Sequence, residues 1–440
     1  MRRVAVVGSG IAGLSVAHGL AGKAHATLFE AGAYFGGHTN TVDITLDGIT
    51  HGVDTGFLVL NERTYPQLLQ LFRDLGVEIA KSDMSFSVQS PGIGGAAALE
   101  WSGCNLNTVF AQRRNLLRPG FWRMLADLLR FNKLTTKLAG ALDAGGDATA
   151  LDQPIGAFLA QHRFSSEFRD WYFLPMIGCI WSCPVDQMLQ FPIATMVRFC
   201  HNHGLLQVAN RPQWYTVAGG ARRYVEKMLP AIPDARLNTP VRRVERSANG
   251  SVLVTSDAGV ERFDEVVLAC HSDQALALLA DATPAEAAVL GAIRYHRNRA
   301  VLHTDASLLP KRRLAWAAWN YERAAGGARD ATAVCLHYLL NRLQPLPFSA
   351  PVVVSLNPLT EPRAGTVHRE FDYAHPVFDA AGIAAQQRLP EIQGHAHTWF
   401  CGAWTRYGFH EDGLMSGQAV LRGLQAAAAA PRRAQHLEAA

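Results

Sequence analysis

The chain has 440 residues, 49% of them hydrophobic, with 41 Lys and Arg against 37 Asp and Glu and a formal net charge of +4. This composition argues against a disordered chain and is too weakly basic to point to nucleic acid, while the length allows two or three domains. The seven cysteines are odd in number and include no C-x-x-C, so buried free thiols are expected, with no disulfide framework and no metal site.

In chain order, Val4 to Val7 is a short apolar run read as a buried strand. Gly8-Ser9-Gly10-Ile11-Ala12-Gly13 follows at once, and Leu14 to Leu20 reads as a helix. Strand, G-x-G-x-x-G and helix in this order form a dinucleotide-binding fingerprint. Gly8 permits the tight turn, Gly10 lets backbone approach a pyrophosphate, and Gly13 lets helix and strand pack closely. The helix N-terminus then offers N–H groups and partial positive charge to the phosphates. Ala26 to Phe29 reads as the second strand, closed by Glu30 and Ala31. A carboxylate there bonds ribose hydroxyls and repels a 2′-phosphate, which favours FAD or NAD over NADP. With the first strand starting at Val4 there is no room for a signal peptide, and no apolar run reaches the ~18 residues of a membrane span. A cytoplasmic protein is expected.

Thr41 to Ile49 reads as a strand entering a turn at Asp47-Gly48, followed by His51 to Phe57. Thr64 is a candidate cap for a helix to Leu75, which Gly76 ends. Ser85 to Gln89 and Ala98 to Trp101 read as strands joined through Pro91 to Gly95. Arg113 to Lys137 holds seven basic residues and one acid, Asp127, so it carries +6. Phe121, Trp122, Leu125, Leu128 and Leu129 form an apolar face beside that charge. The first reading of such a segment is a solvated helix packed on its own domain, with peripheral contact to an anionic membrane surface as the alternative. Ala139 to Ala150 reads as a loose connection.

Phe158 to His203 is apolar and aromatic, fit for a greasy pocket or a helical core. Trp214 to Gly220 leads into a helix, Arg222 to Leu229. Val241 to Val244, Val252 to Thr255 and Val266 to Cys270 read as strands, with turns at Asn249-Gly250 and Asp257 to Gly259. Ala275 to Leu279 reads as a helix. Val301, Trp316 to Trp319, Val334 to Leu340 and Val352 to Leu356 offer further strands. Thr398 to Cys401 reads as a strand, followed by Gly402-Ala403-Trp404, the loop Phe409 to Gly417 with Asp412, Gly413 and Leu414, and a helix from Gln418.

After Glu30, the pair Gly36-Gly37 and then His38 complete an E-x5-G-G extension. This resembles the FAD-binding flavoproteins of the amine oxidase and phytoene desaturase superfamily. The resemblance implies that Gly8 to Gly13, Glu30, Ala31, Gly36, Gly37 and His38 surround the dinucleotide. It also implies that Thr55, Gly56 and Phe57 pass the flavin ring, that Val241 offers a backbone contact to the adenine, and that Gly402, Trp404, Asp412, Gly413 and Leu414 close the site. Three positions depart from the pattern. His38 stands where an Arg commonly follows the glycine pair. Ala403 stands where an acid contacts the ribityl chain. The lysine often set above the flavin has no clear counterpart, which argues against simple amine oxidation. More narrowly, Ile180-Trp181-Ser182, Asn202 to Leu206, Arg211 to Trp214, His303-Thr304-Asp305 and Gly408 to Gly413 resemble a bacterial group of FAD-binding proteins associated with fatty-acyl modification.

The expectation is an α/β protein: a Rossmann-like FAD-binding domain interleaved with an α+β substrate domain of mixed sheet and helices. The former takes residues 1–59, 213–285 and 370–430, the latter 60–212 and 286–369, with a disordered tail at 431–440. FAD, held noncovalently, serves removal of hydrogen from an apolar substrate, an unsaturated or methyl-branched acyl chain. His201, His203, His337 and His375 are candidate bases, each more readily read as structural. A flavin amine or amino-acid oxidase is the alternative enzyme, and a flavoprotein that carries lipid or supports a partner is the non-enzyme alternative. The expected location is cytoplasmic, with peripheral contact at the inner membrane face. The sequence leaves the oligomeric state open.

Overall fold

The computed structural model describes residues 1–91, 98–145, 151, 153–182, 184–207, 211–247, 250–324 and 334–429. The expected tail at 431–440, most of the Pro91 to Gly95 turn, Asn249 and Cys183 lie outside the described residues.

The chain divides into two compact units. The first comprises Met1–Gly37, Val225–Ala292 and Ala385–Ala440, the second His38–Tyr224 and Ile293–Ala384. The segments 38–59, 213–224 and 370–384, assigned from sequence to the cofactor domain, therefore fall in the second unit. Part of the reason is local. The Ala221 N–H donates to both Asp54 carboxylate oxygens at 2.9 and 3.0 Å, and the Gln344 side-chain amide donates to one of them at 2.6 Å. These bonds tie the end of the Thr41–Asp54 hairpin to other segments of its own unit.

In the first unit, five parallel strands lie in the order Asp234–Arg236, His25–Phe29, Arg3–Val7, Glu265–Leu268 and Thr398–Phe400. Val4 to Val7 and Val266 to Leu268 are almost fully buried, as near-continuous apolar runs in a parallel sheet should be. Helices Ile11–Gly19 and His410–Ala429 pack together, with Gly417 against the Ala12 carbonyl. A separate antiparallel meander joins Val241–Arg246, Val252–Ser256 and Gly259–Phe263.

The second unit is built on a seven-stranded mixed sheet. Its order is Val367–Pro376, Tyr295–His303, Val353–Leu356, Cys335–Leu339, Trp319–Glu322, Phe86–Ser90 and Leu99–Ser102. Only the pairing of Trp319–Glu322 with Phe86–Ser90 is parallel among these neighbours. The hairpin Thr41–Leu46 with Ile49–Asp54 turns at Asp47 and Gly48, whose φ values of 51° and 77° fit an Asp-Gly hairpin turn.

Several sequence readings shift. The strand expected at Trp316 to Trp319 runs instead over Trp319–Glu322, because the Asn320 side chain bonds both the N–H and the carbonyl of Ala317 and holds that segment in a turn. Thr64 caps no helix: Pro66–Leu75 starts behind Tyr65, and Asn61 Oδ1 takes the Thr64 N–H. The helix Pro119–Asp143 absorbs the start of the loose connection read from Ala139.

The aromatic stretch forms core. Phe131 packs against Phe158, Phe164, Phe168 and Phe173 at centroid distances of 5.1–6.5 Å. Trp181 packs against Phe191 and Phe199. Phe158, Phe168, Phe173 and Phe191 are at most 2% exposed, so the pocket reading of these side chains gives way to the helical-core reading.

Candidate functional site

In the first unit the fingerprint turns as its glycines require. Gly8 has φ +102°, a conformation costly for any residue with a side chain. A Cβ on Gly13 would stand 1.9 Å from the Gly8 carbonyl oxygen. Gly10 differs: its φ of −61° suits any residue, and a Cβ there would meet no protein atom within 4 Å. Packing inside the protein therefore does not account for this glycine. The open space lies at the N-terminus of Ile11–Gly19, where the first N–H groups of a helix lack intrahelical partners. A pyrophosphate fits that cradle.

Around it, Glu30 is held in place by its neighbours. One carboxylate oxygen accepts from the Ser9 N–H at 3.0 Å and from the Ser9 hydroxyl, the other from the Gly32 N–H at 2.7 Å. Ala31 is exposed beside it. The Gly36 N–H reaches the Ser9 carbonyl at 3.1 Å, which seats the glycine pair beside the fingerprint loop. From the C-terminal end, Gly413 lies against Ile11 and Ala403, and Leu414 is buried. The Gly402 N–H donates to Ser416 Oγ at 2.9 Å. The Trp404 indole N–H donates to the Cys270 carbonyl at 3.2 Å, so this side chain braces the loop. Asp412 accepts from the Phe409 N–H at 3.0 Å, and burial pushes its carboxyl up to about 6. Val241 opens the separate meander and is 9% exposed.

In the second unit, the Phe57 N–H donates to the His38 carbonyl at 2.8 Å, and a Cβ on Gly56 would stand 2.2 Å from that oxygen. The backbone of His38 thus accounts for Gly56. Thr55 Oγ1 bonds the Asn40 carbonyl at 3.0 Å and the Tyr373 hydroxyl at 2.7 Å. The His38 ring stacks on Tyr373 at 5.0 Å and lies 5.4 Å from His375. Asn298 donates to His375 Nδ1 at 2.9 Å, which leaves the ring proton of neutral His375 on Nε2. His38, Thr55, Tyr373 and His375 form one cluster.

The other candidate bases lie elsewhere. His201 sits in the last turn of Ile193–Asn202. His203 stacks on Phe199 at 3.9 Å and donates from Nδ1 to the Phe199 carbonyl, and burial lowers its pKa to about 4. His337 has both ring nitrogens engaged, by Ser355 at 2.6 Å and Glu322 at 2.9 Å, which argues against a role as base.

Sequence reading did not single out Asn40, Asn298 or Tyr373, and took Asp54 only as the first residue of a D-x-G stretch. Burial pushes the Asp54 carboxyl up to about 7, while its hydrogen bonds and Arg222 pull it down. Its signal was present: an acid directly after Val53 at the end of a strand. Tyr373 was hidden because Val367–Pro376 alternates too weakly to read as a strand.

The family model for flavin containing amine oxidoreductase matches residues 11–301. The chain belongs to this family. As a flavin-containing amine oxidoreductase it is an FAD-dependent oxidoreductase. Solved structures of the same fold include a proposed protoporphyrinogen oxidase from Exiguobacterium sp. 255-15, 18% identical, TM-score 0.67, covering 97% of this chain and 99% of that one. A cyclohexylamine oxidase from Brevibacterium oxydans IH-35A is 17% identical, TM-score 0.66, with 96% and 99% covered. A conjugated-linoleic-acid-producing fatty acid isomerase from P. acnes is 15% identical, TM-score 0.64, with 96% and 98% covered. At these identities the likeness establishes the fold.

Proposed function

We propose that this flavoenzyme dehydrogenates a long apolar substrate, an unsaturated or methyl-branched fatty-acyl chain, reached from a lipid surface. Proteins of this fold are named for fatty-acid, porphyrinogen and amine chemistry, so fold alone selects none of them. The observation that carries the reading is an exposed apolar and basic patch on the second unit.

Leu106, Leu116, Leu117 and Trp122 are 79%, 45%, 86% and 49% exposed. Contacts join Trp122 to Leu116 and Phe110. The Trp122 indole N–H donates to the Leu116 carbonyl at 2.9 Å, and its ring lies 5.3 Å from Phe110. Arg113 donates to the Asn107 and Phe110 carbonyls, and Arg114 to that of Ala98. These acceptors are neutral, so both charges remain uncompensated by them. The patch differs from the face read in the sequence. Phe121, Met124 and Phe131 turn into the core, while Trp122 and Leu129 turn outward and are joined by leucines preceding the helix. Arg123 and Arg130 are paired with Glu167 and Asp127, whereas Arg113 and Arg114 carry their charge beside the exposed leucines.

Exposed leucines and a tryptophan beside arginines match the chemistry of an anionic bilayer surface. No helix among the described residues is long and apolar enough to cross a membrane, and the proposed contact is peripheral. Bound FAD supplies a hydride acceptor. The substrate would give up one hydrogen as hydride to that acceptor and the neighbouring one as a proton to a base, leaving a carbon–carbon double bond. Anaerobic mixing with defined acyl lipids tests the reading: they should bleach the flavin. Bleaching by amines alone would favour the amine oxidase alternative. A chemically reducible flavin that no substrate reduces would favour a non-catalytic lipid carrier or partner protein.

A further inference from the structure

On one face of the seven-stranded sheet, three side chains of different chemistry converge. Glu322 and Cys335 are cross-strand partners, and His337 follows Cys335 by two residues, so all three point to the same side. His337 Nε2 stands 2.9 Å from Glu322 Oε2 and 3.5 Å from Cys335 Sγ, and the sulfur stands 3.7 Å from the same carboxylate oxygen. His337 is fully buried, whereas Glu322 keeps 24% of its side chain exposed, which leaves one side of the cluster open.

The arrangement is not that of a nucleophilic triad. There, thiol and carboxylate engage opposite nitrogens of the imidazole, so that one orients the ring and the other exchanges its proton. Here both crowd Nε2, and Nδ1 belongs to Ser355 at 2.6 Å. Thiol, imidazole and carboxylate gathered at one point, with the remote nitrogen held by a hydroxyl, is the pattern of a metal centre with an oriented histidine. With Zn–S of ~2.3 Å and Zn–N or Zn–O of ~2.0 Å, tetrahedral ligands stand roughly 3.3–3.6 Å apart. The two distances to sulfur lie close to that range; His337 Nε2 and Glu322 Oε2, hydrogen-bonded at 2.9 Å, would separate by about 0.4 Å to admit the ion.

We infer that Glu322, Cys335 and His337 form a binding site for a zinc-type divalent cation, with water in the fourth position on the Glu322 side. The thiolate and imidazole select a borderline metal over Mg²⁺ or Ca²⁺, which prefer all-oxygen ligands. A metal on Nε2 requires the ring proton on Nδ1, where Ser355 Oγ can accept it. Ser355 is itself placed by His303 Nε2 at 2.7 Å, and His303 Nδ1 accepts from the Asp305 N–H at 3.1 Å. The ligands join the Trp319–Glu322 and Cys335–Leu339 strands, so a bound ion would cross-link them. Cysteine spacing could not reveal this site, because its ligands come from two strands and only one is a cysteine.

The test uses the FAD-loaded full chain, stripped with a chelator, incubated with zinc chloride and desalted. Elemental analysis should find one zinc per chain, and zinc-edge X-ray absorption should show one sulfur ligand among nitrogen and oxygen ligands. Cys335→Ser should lose the sulfur signal and at least tenfold in affinity, and Glu322→Gln should weaken binding while keeping the sulfur ligand. Flavin absorbance and circular dichroism verify that both variants are folded; His337→Asn is a third variant, subject to the same check. No zinc on the wild type, or zinc retained equally by Cys335→Ser, would overturn the inference.

Discussion

A Cβ on Gly13 would stand 1.9 Å from the carbonyl oxygen of Gly8, whereas one on Gly10 would touch no protein atom within 4 Å. Two glycines of one motif thus answer to different demands, and substitution separates them. Gly13→Val should destabilise the protein by about 1–3 kcal/mol through overpacking, and should lose FAD as well. Gly10→Val should leave the melting temperature of the apoprotein unchanged yet abolish FAD binding. Thermal melts with and without FAD measure both. Gly10→Val that retains FAD at wild-type affinity would remove the pyrophosphate from this loop.

Asp54 accepts from the Ala221 N–H, Gln344 and Thr41 together. Asp54→Asn would set an amide nitrogen against one of these donors. The expected loss is about 1–3 kcal/mol in urea unfolding, the cost of a buried donor left without an acceptor. The pH dependence has a definite sign. Burial raises the folded carboxyl to about 7, above its ordinary value of 3.8. Between those values the folded state holds a proton that the unfolded chain has lost. The contribution is fully present below the lower value and fades as pH rises through the upper one. The variant should lack that falling slope.

His203 gives the opposite slope. Burial lowers its folded pKa from 6.5 to about 4, so in that interval the unfolded chain binds the extra proton. Its contribution is intact above the upper value and is lost as pH falls towards the lower. His203→Phe keeps a ring against Phe199 and should remove roughly 3 kcal/mol of acid sensitivity, at ~1.4 kcal/mol per pH unit. Unfolding free energies across this range, compared with wild type, measure it.

The Leu106–Trp122 patch should bind anionic vesicles and release them as salt rises, since the Debye length is ~8 Å at physiological ionic strength. Neutralising Arg113 or Arg114 should each cost about 1 kcal/mol of binding. Leu117→Ser and Trp122→Ser should weaken binding without changing its salt dependence. Equal sedimentation with neutral and anionic vesicles would contradict the electrostatic part.

The parallel sheet and its fingerprint were legible because each residue there has one local reason: apolar runs for buried strands, glycines for turn and packing, an acid ending the second strand. The membership of segments 38–59 and 370–384 was not legible, because it depends on bonds such as those of Thr55 and Asn40 to Tyr373, far apart in sequence. The basic segment was legible as charge but not as orientation. Its helical periodicity did not reveal that Phe121 turns inward and Trp122 outward, or that Leu116 and Leu117 would join the latter. Candidate histidines were legible only as residue types. Whether a ring nitrogen is engaged, as both are in His337, depends on cross-strand neighbours.

Anaerobic reaction of the oxidised holoenzyme with acyl lipids tests the proposed chemistry most directly. Defined phospholipids with saturated, unsaturated or methyl-branched chains, and a panel of primary amines, are mixed separately with enzyme while flavin absorbance is followed. The products are then weighed by mass spectrometry. Bleaching by an unsaturated or branched acyl lipid, with loss of two hydrogens from that lipid in proportion to the flavin reduced, is the predicted result. Rapid bleaching by an amine with every acyl species unchanged would contradict it.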